Sequence, residues 1–171
     1  MRPWILIAAA ALVAAVILLR GGGHADGMNA RVLRDVDGDT LLAGSGGRRF
    51  YVRLLGIDTP ETHRPGRPVE CGGPEASAHM RRLAPPGTRV RLETDPTQDR
   101  VDRYGRLLAY VWLPGGRLLE DEQLRSGWAE SYVFEGRPVS RYSRLLASER
   151  AGRSARRGVW ARCAGRFHSA L

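Results

Sequence analysis

The sequence contains no lysine. All 27 of its basic side chains are arginine, set against 18 acidic ones, for a net charge of +9. Guanidinium groups stay charged and grip phosphate or carboxylate with a two-pronged fork, which an ammonium cannot do. A basic chain of this kind suits an anionic partner such as nucleic acid or an anionic membrane, although a merely soluble basic surface also accounts for it. Cysteine is scarce, with only Cys71 and Cys163. Neither has a Cys or His at ligand spacing, so the pair fits no zinc site. In an oxidising compartment the two would form one disulfide, worth roughly 4–5 kcal/mol in the chain-entropy model because the loop is long. Two free thiols are the alternative. No internal repeat is present. What remains is a 171-residue chain with 43% apolar content, which suits one globular domain.

The N-terminus reads as a targeting segment rather than part of the fold. Arg2 precedes an apolar run from Trp4 to Leu19, and Arg20 ends it. The run is slightly short for a spanning helix, which needs roughly 17–25 residues. Gly23-His24-Ala25 offers a weak cleavage site, and Gly21 to Gly23 would also serve as a tether. Residues 1–25 are thus expected to be a signal peptide or a membrane anchor through residues 4–19, and residues 26–171 the working domain. Either way the protein is expected to be secreted or held on the outer face of the cytoplasmic membrane.

Short strands broken by turns follow: Arg31 to Asp35, Thr40 to Ala43, and Arg49 to Gly56. In the third, Phe50, Val52 and Leu54 share one face and Tyr51, Arg53 and Leu55 the other. Pro74 and Glu75 open a helix in which Ala76, Met80 and Leu83 recur at helical spacing, and Pro85-Pro86-Gly87 stops it. Arg89 to Glu93 and Leu107 to Leu113 read as strands, and Leu119 to Ser126 as a short helix. A last helix is expected over Val139 to Arg157, although Gly152 inside it costs about 1 kcal/mol against Ala and weakens that reading. Periodicity leads to an α+β fold and no further.

Three segments carry chemistry. Asp37-Gly38-Asp39-Thr40 sets acids around a Gly turn, which suits a hard cation, though Asp-Gly is also a common hairpin turn. An EF-hand loop from Asp35 fails, because its last position is Gly46 rather than Glu. Arg53-Leu54-Leu55-Gly56-Ile57-Asp58-Thr59-Pro60-Glu61 places a second acid where it can join Asp39 on one metal, with Glu61 just beyond. Asp102-Arg103-Tyr104-Gly105-Arg106 offers a second arginine after a turn.

In this order and approximate spacing the three segments resemble the staphylococcal nuclease family, from about Arg31 to Trp160. Cys-Gly-Gly-Pro-Glu-Ala at Cys71 to Ala76 resembles exported bacterial members. The resemblance implies a five-stranded OB-fold β-barrel with about three α-helices. It implies calcium (Ca2+) held by Asp39, Asp58 and the Thr59 carbonyl, with Asp37 behind them. It implies that Glu61 is the general base or orients the attacking water, that Arg53 and Arg106 hold the scissile phosphate, and that Tyr104 and Tyr132 contact the nucleotide. The implied activity is hydrolysis of phosphodiester bonds in DNA and RNA, single-stranded or frayed, with little sequence specificity, by a monomer. The alternative is a non-catalytic OB-fold module that binds nucleic acid at the cell envelope; loss of a carboxylate or arginine from the set would mark it, and the set is complete.

The chain departs from the family in places. Glu120 stands where members often carry Asn. Arg64 and Arg67 lie in a loop of its own and are candidates for nucleic-acid contact, a solvated loop being the alternative. His63, His79 and His168 have no partner spacing that suggests catalysis and read as bystanders.

Overall fold

The structure, a computed structural model, describes residues 27–62 and 66–170. The expected leader, His63 and Arg64 lie outside the described residues. Among those described, no helix is long and apolar enough to cross a membrane.

The described residues form seven strands: β1 (Gly27–Asp35), β2 (Thr40–Ser45), β3 (Arg48–Leu54), β4 (Ile57–Asp58), β5 (Arg89–Glu93), β6 (Leu107–Trp112) and β7 (Glu130–Ser131). Five of them close a barrel in the order β1-β2-β3-β6-β5, and β4 pairs with β7 in a small separate sheet. Alternation explains how the barrel is filled. Ala30 and Val32, Leu41 and Ala43, Val52 and Leu54, and Val90 and Leu92 point inward and are buried, as are Ala109 and Val111. Small alanines among the branched residues let a narrow barrel fill without voids. Full burial of each Val or Leu contributes about 1.5–3 kcal/mol. The register of β1 on β2 shifts between Val32 and Arg34, a bulge that bends the strand. Only β3 and β6 run parallel, so the chain must cross over between them, and β4, a helix and β5 fill that crossover.

Among the described residues four helices pack outside: α1 (Gly73–Leu83), α2 (Leu119–Arg125), α3 (Tyr142–Ser154) and the one-turn α4 (Val159–Arg162). The last helix is shorter than expected, starting at Tyr142 and ending at Ser154. Arg156 and Gly158 follow with φ near +50°, which breaks the helix before α4. Gly152 belongs in α3 for a packing reason. A Cβ there would lie 2.3 Å from the Leu124 carbonyl oxygen, so the glycine lets α3 close on α2. Cys71 and Cys163 are joined in a disulfide that ties the start of α1 to the end of α4.

Candidate active site

The barrel register brings the chemical segments together. Thr40 on β2 pairs with Arg53 on β3, and Arg53 pairs in turn with Leu108 on β6. Asp39 therefore sits at the strand mouth beside Arg53, and its carbonyl accepts the Leu54 N–H at 2.9 Å. The Asp37-Gly38-Asp39 turn is closed by the Asp39 N–H donating to Asp37 Oδ1 at 3.0 Å. Glycine at position 38 is a matter of space: a Cβ would lie 2.7 Å from Thr59 Oγ1 and 2.8 Å from the Ala76 Cβ. Behind it, the buried amide of Gln123 on α2 donates to the Gly38 carbonyl at 2.5 Å and to Ala76 O at 3.3 Å. His79 on α1 holds that amide through Gln123 Oε1 at 2.5 Å, so it braces the turn rather than standing idle.

Arg53 is the hub. Its Nε lies 3.1 Å from Asp39 Oδ1, its Nη2 donates to Asp58 Oδ1 at 2.7 Å, and its Nη1 donates to the Leu54 and Ile57 carbonyls, each at 2.8 Å. Burial works against its charge, but Asp39, Asp58 and Asp37 outweigh that and keep it protonated. Asp39 Oδ2 accepts both the Thr59 N–H and the Thr59 hydroxyl at 3.0 Å. Thr40 Oγ1 donates to Asp39 Oδ1 at 3.1 Å and accepts from Arg106 Nη1 at 3.3 Å. The two arginines are thus linked through Thr40 and Asp39. Arg106 is anchored from the other side by Asp102 Oδ2 at 2.7 Å.

Acids outnumber cations here, and their protons respond. Burial, with the Asp39 charge beside it, pushes Asp37 up to about 7. Burial likewise pushes Asp58 up to about 6, Arg53 opposing and Asp39 adding to the rise. Oxygen donors on Asp39, Asp58 and Thr59, with an unrelieved excess of negative charge, fit a hard divalent cation. Among the described residues no three His, Cys, Asp or Glu side chains form a metal cluster. Two carboxylates and a carbonyl do not require one.

The remaining residues surround this centre. Glu61 follows β4 in a half-buried loop, its N–H donating to Glu70 Oε2 at 2.8 Å and its carbonyl accepting from the Glu70 N–H at 3.0 Å. Tyr104 is 68% exposed, with the Arg103 and Arg106 guanidiniums 4.9 and 5.4 Å from its ring centroid. Tyr132 is exposed just after β7. Phe134 is also exposed nearby in sequence, and Arg67 lies on the surface.

His168, read from the sequence as a bystander, lies among three acids. Its Nδ1 lies 2.8 Å from Glu70 Oε2, and its Nε2 lies 3.4 Å from Asp58 Oδ2 and 3.3 Å from Glu130 Oε1. Hydrogen bonding to Glu130 and then to Glu70, with Asp58 adding, overcomes partial burial and raises its pKa to about 9. No spacing rule finds it, because its partners come from three distant segments. Gln123 escapes sequence reading for the same reason.

Comparison with known proteins agrees with this geometry. A family model described as "Staphylococcal nuclease homologue" matches residues 51–162. The chain is 32% identical to a thermonuclease of Staphylococcus hyicus over 165 residues, 91% of this chain and 94% of that protein. It is 37% identical to a thermonuclease of Staphylococcus intermedius, covering 77% of this chain and 75% of that one. It is 35% identical to endonuclease YncB of Bacillus subtilis, covering 79% of this chain and 63% of that one. With the five-stranded barrel, the matching family model and these relatives, the chain belongs to the staphylococcal nuclease family.

Proposed function

We propose that this chain is an exported, calcium-dependent nuclease that hydrolyses phosphodiester bonds in DNA and RNA. That it is a nuclease, and that nucleic acid is its substrate, follows from the family. Metal dependence is general to that family; calcium and the individual residue roles are our reading. One observation carries it above all: a single half-buried guanidinium, Arg53, joins Asp39 and Asp58 at one strand mouth, with Arg106 linked to Asp39 through Thr40.

Asp39, Asp58 and the Thr59 carbonyl would hold the ion, and Asp37 would add charge behind them. When bound, a divalent cation supplies Lewis-acid stabilisation to a phosphoryl oxygen. Arg53 and Arg106 grip the non-bridging oxygens of the scissile phosphate, and both stay cationic as charge builds there. Glu61 accepts a proton from the attacking water. The water oxygen forms its bond to phosphorus as the bond to the departing nucleotide oxygen breaks. Tyr104 offers an exposed ring to a base or sugar, and Tyr132 a second, which gives contact without sequence readout. The Cys71–Cys163 disulfide supports export, because such bonds persist in oxidising compartments. Removal of the leader is part of this proposal, and retention through residues 4–19 is its alternative.

The test is cleavage of single-stranded DNA, duplex DNA and RNA by the purified protein with calcium or with chelator, beside Glu61→Gln. We expect calcium-dependent cleavage that falls by about 10²–10⁴ in the variant, the usual scale of general acid–base catalysis. Binding without cleavage across several divalent metals would replace the enzyme by a nucleic-acid-binding module.

A further inference from the structure

The chain beyond α4 returns to the active site. Cys163 fixes its start through the disulfide to Cys71. The Cys71 N–H donates to the Ser169 carbonyl at 2.8 Å, and Glu70 forms a β-bridge with Ala170. Phe167 packs edge-on against Trp160, with ring centroids 5.0 Å apart. Between these anchors His168 takes a left-handed backbone, φ 58°, which non-glycine residues adopt rarely. That conformation aims its ring at Glu70, Asp58 and Glu130. The segment lies past residue 162, where the match to the family model ends.

Two of these contacts bear on the reaction. Asp58 is held on one oxygen by Arg53 Nη2 and faces His168 Nε2 with the other. Glu70 Oε2 is shared between His168 Nδ1 and the Glu61 N–H, each at 2.8 Å. One imidazole therefore spans the acid that ends β4 and the loop that carries Glu61.

We propose that the C-terminal tail is part of the active site, with His168 as a positioning residue that fixes Asp58 and, through Glu70, the Glu61 loop. It touches neither substrate nor reacting atoms; it acts through the carboxylates that do. The inference rests on the nuclease reading above. Partners one layer behind a metal's ligands orient them, and losing one typically costs about 10–100-fold in metal affinity or activity.

The test uses the full chain and three variants. His168→Ala removes all three contacts. His168→Asn keeps a donor near the Nδ1 position, toward Glu70, and His168→Gln keeps one near Nε2, toward Asp58 and Glu130. Calcium affinity is measured by titration calorimetry, kcat and KM on single-stranded DNA, and the thermal midpoint in chelator. Because His168 is exposed, none of the variants should unfold the protein. We expect His168→Ala to bind calcium about 10–100-fold more weakly, with kcat down on the same scale and KM little changed. His168→Gln should recover more of the calcium affinity than His168→Asn. Reducing the disulfide of the wild type should give a loss in the same direction, since it frees the tail. Calcium affinity unchanged or tighter in His168→Ala would overturn the proposal while leaving wild-type cleavage, and so the nuclease reading, intact. An equal loss in all three variants with a lowered midpoint would also overturn it, in favour of plain packing. A wild-type chain without metal-dependent cleavage would strike the nuclease reading, and the proposal with it.

Discussion

Two groups of acids in this protein are treated in opposite ways. At the barrel mouth, Asp37, Asp39 and Asp58 crowd around one arginine, and burial with mutual repulsion raises Asp37 to about 7 and Asp58 to about 6. On the α3 side, Asp95 stands alone among donors. It accepts from the Tyr110 hydroxyl at 2.6 Å, the Ser140 N–H at 2.7 Å, the Thr97 hydroxyl at 2.8 Å and the Thr97 N–H at 2.9 Å. Burial works to raise it, but those bonds win and pull it down to about 2. An acid that the fold supplies with donors is tying β5, β6 and α3 together. Acids left short of positive charge are held for something that brings it.

The largest effect should come from the arginine that serves the crowded group. Arg53→Ala removes a phosphate clamp, which typically costs about 2.7–4 kcal/mol in the transition state, or 10²–10³ in kcat. It also leaves Asp39 and Asp58 without their shared cation, so the thermal midpoint in chelator should fall and partly recover with calcium. Arg106→Ala should lose kcat on the same scale with little change in midpoint, because Arg106 is half-exposed and Asp102 keeps its bonds from the Tyr104 and residue-106 backbone N–H groups. Single-turnover kinetics and melting curves with and without calcium check both. Equal midpoints for the two variants in chelator would erase the distinction.

Asp95→Ala should do the reverse. It takes the short hydrogen bond away from the buried Tyr110 hydroxyl, at roughly 1–3 kcal/mol for a group of this kind left unsatisfied. Urea unfolding should show that loss, while calcium affinity and kcat stay at wild-type values. A variant that unfolds normally but cleaves poorly would assign Asp95 to the wrong group.

Titration separates the groups by sign. Asp95 is depressed in the fold, so its contribution to stability is complete above its unfolded value of 3.8 and is lost as pH falls toward 2. Asp37 and Asp58 are raised, so protons compete with a cation there near neutrality. Calcium affinity should therefore weaken as pH drops through about 7 and about 6, well before the fold loosens. Calorimetry from pH 8 to 5 that shows a flat calcium affinity would contradict this.

How much of this was legible in the sequence depends on chain distance. Asp39, Arg53, Asp58 and Arg106 stand in short motifs, and strand alternation in β2 and β3 is enough to bring Asp39 and Arg53 to one mouth. Barrel closure does not follow from alternation, since the parallel β3–β6 pair joins segments whose crossover carries no local signal; it came from family resemblance. Gln123 reaches Gly38 across 85 positions and His168 reaches Glu70 across 98, and neither lies in a pattern with its partner. Gly38 and Gly152 read as a turn former and a helix weakness. Both are instead places where two backbones or side chains come too close for a Cβ.

Glu120 belongs to neither group and carries the smallest prediction. It is fully buried at the start of α2, and its two carboxylate oxygens lie 3.2 and 3.3 Å from the Val111 N–H. Burial raises it well above 4.5, and the neighbouring Asp121 adds to the rise, while backbone donors only partly offset them. A raised acid holds its proton in the fold after the unfolded chain has released it. The native state then binds more protons, so its stability falls as pH rises from about 4.5 through the folded value. A neutral amide escapes that fall and still accepts from Val111. Glu120→Gln should therefore match the wild type near pH 4 and melt higher at pH 7, with kcat unchanged. A lower midpoint at both pH values would mean that the carboxyl shape, not its charge, is what the site between α2 and β6 selects.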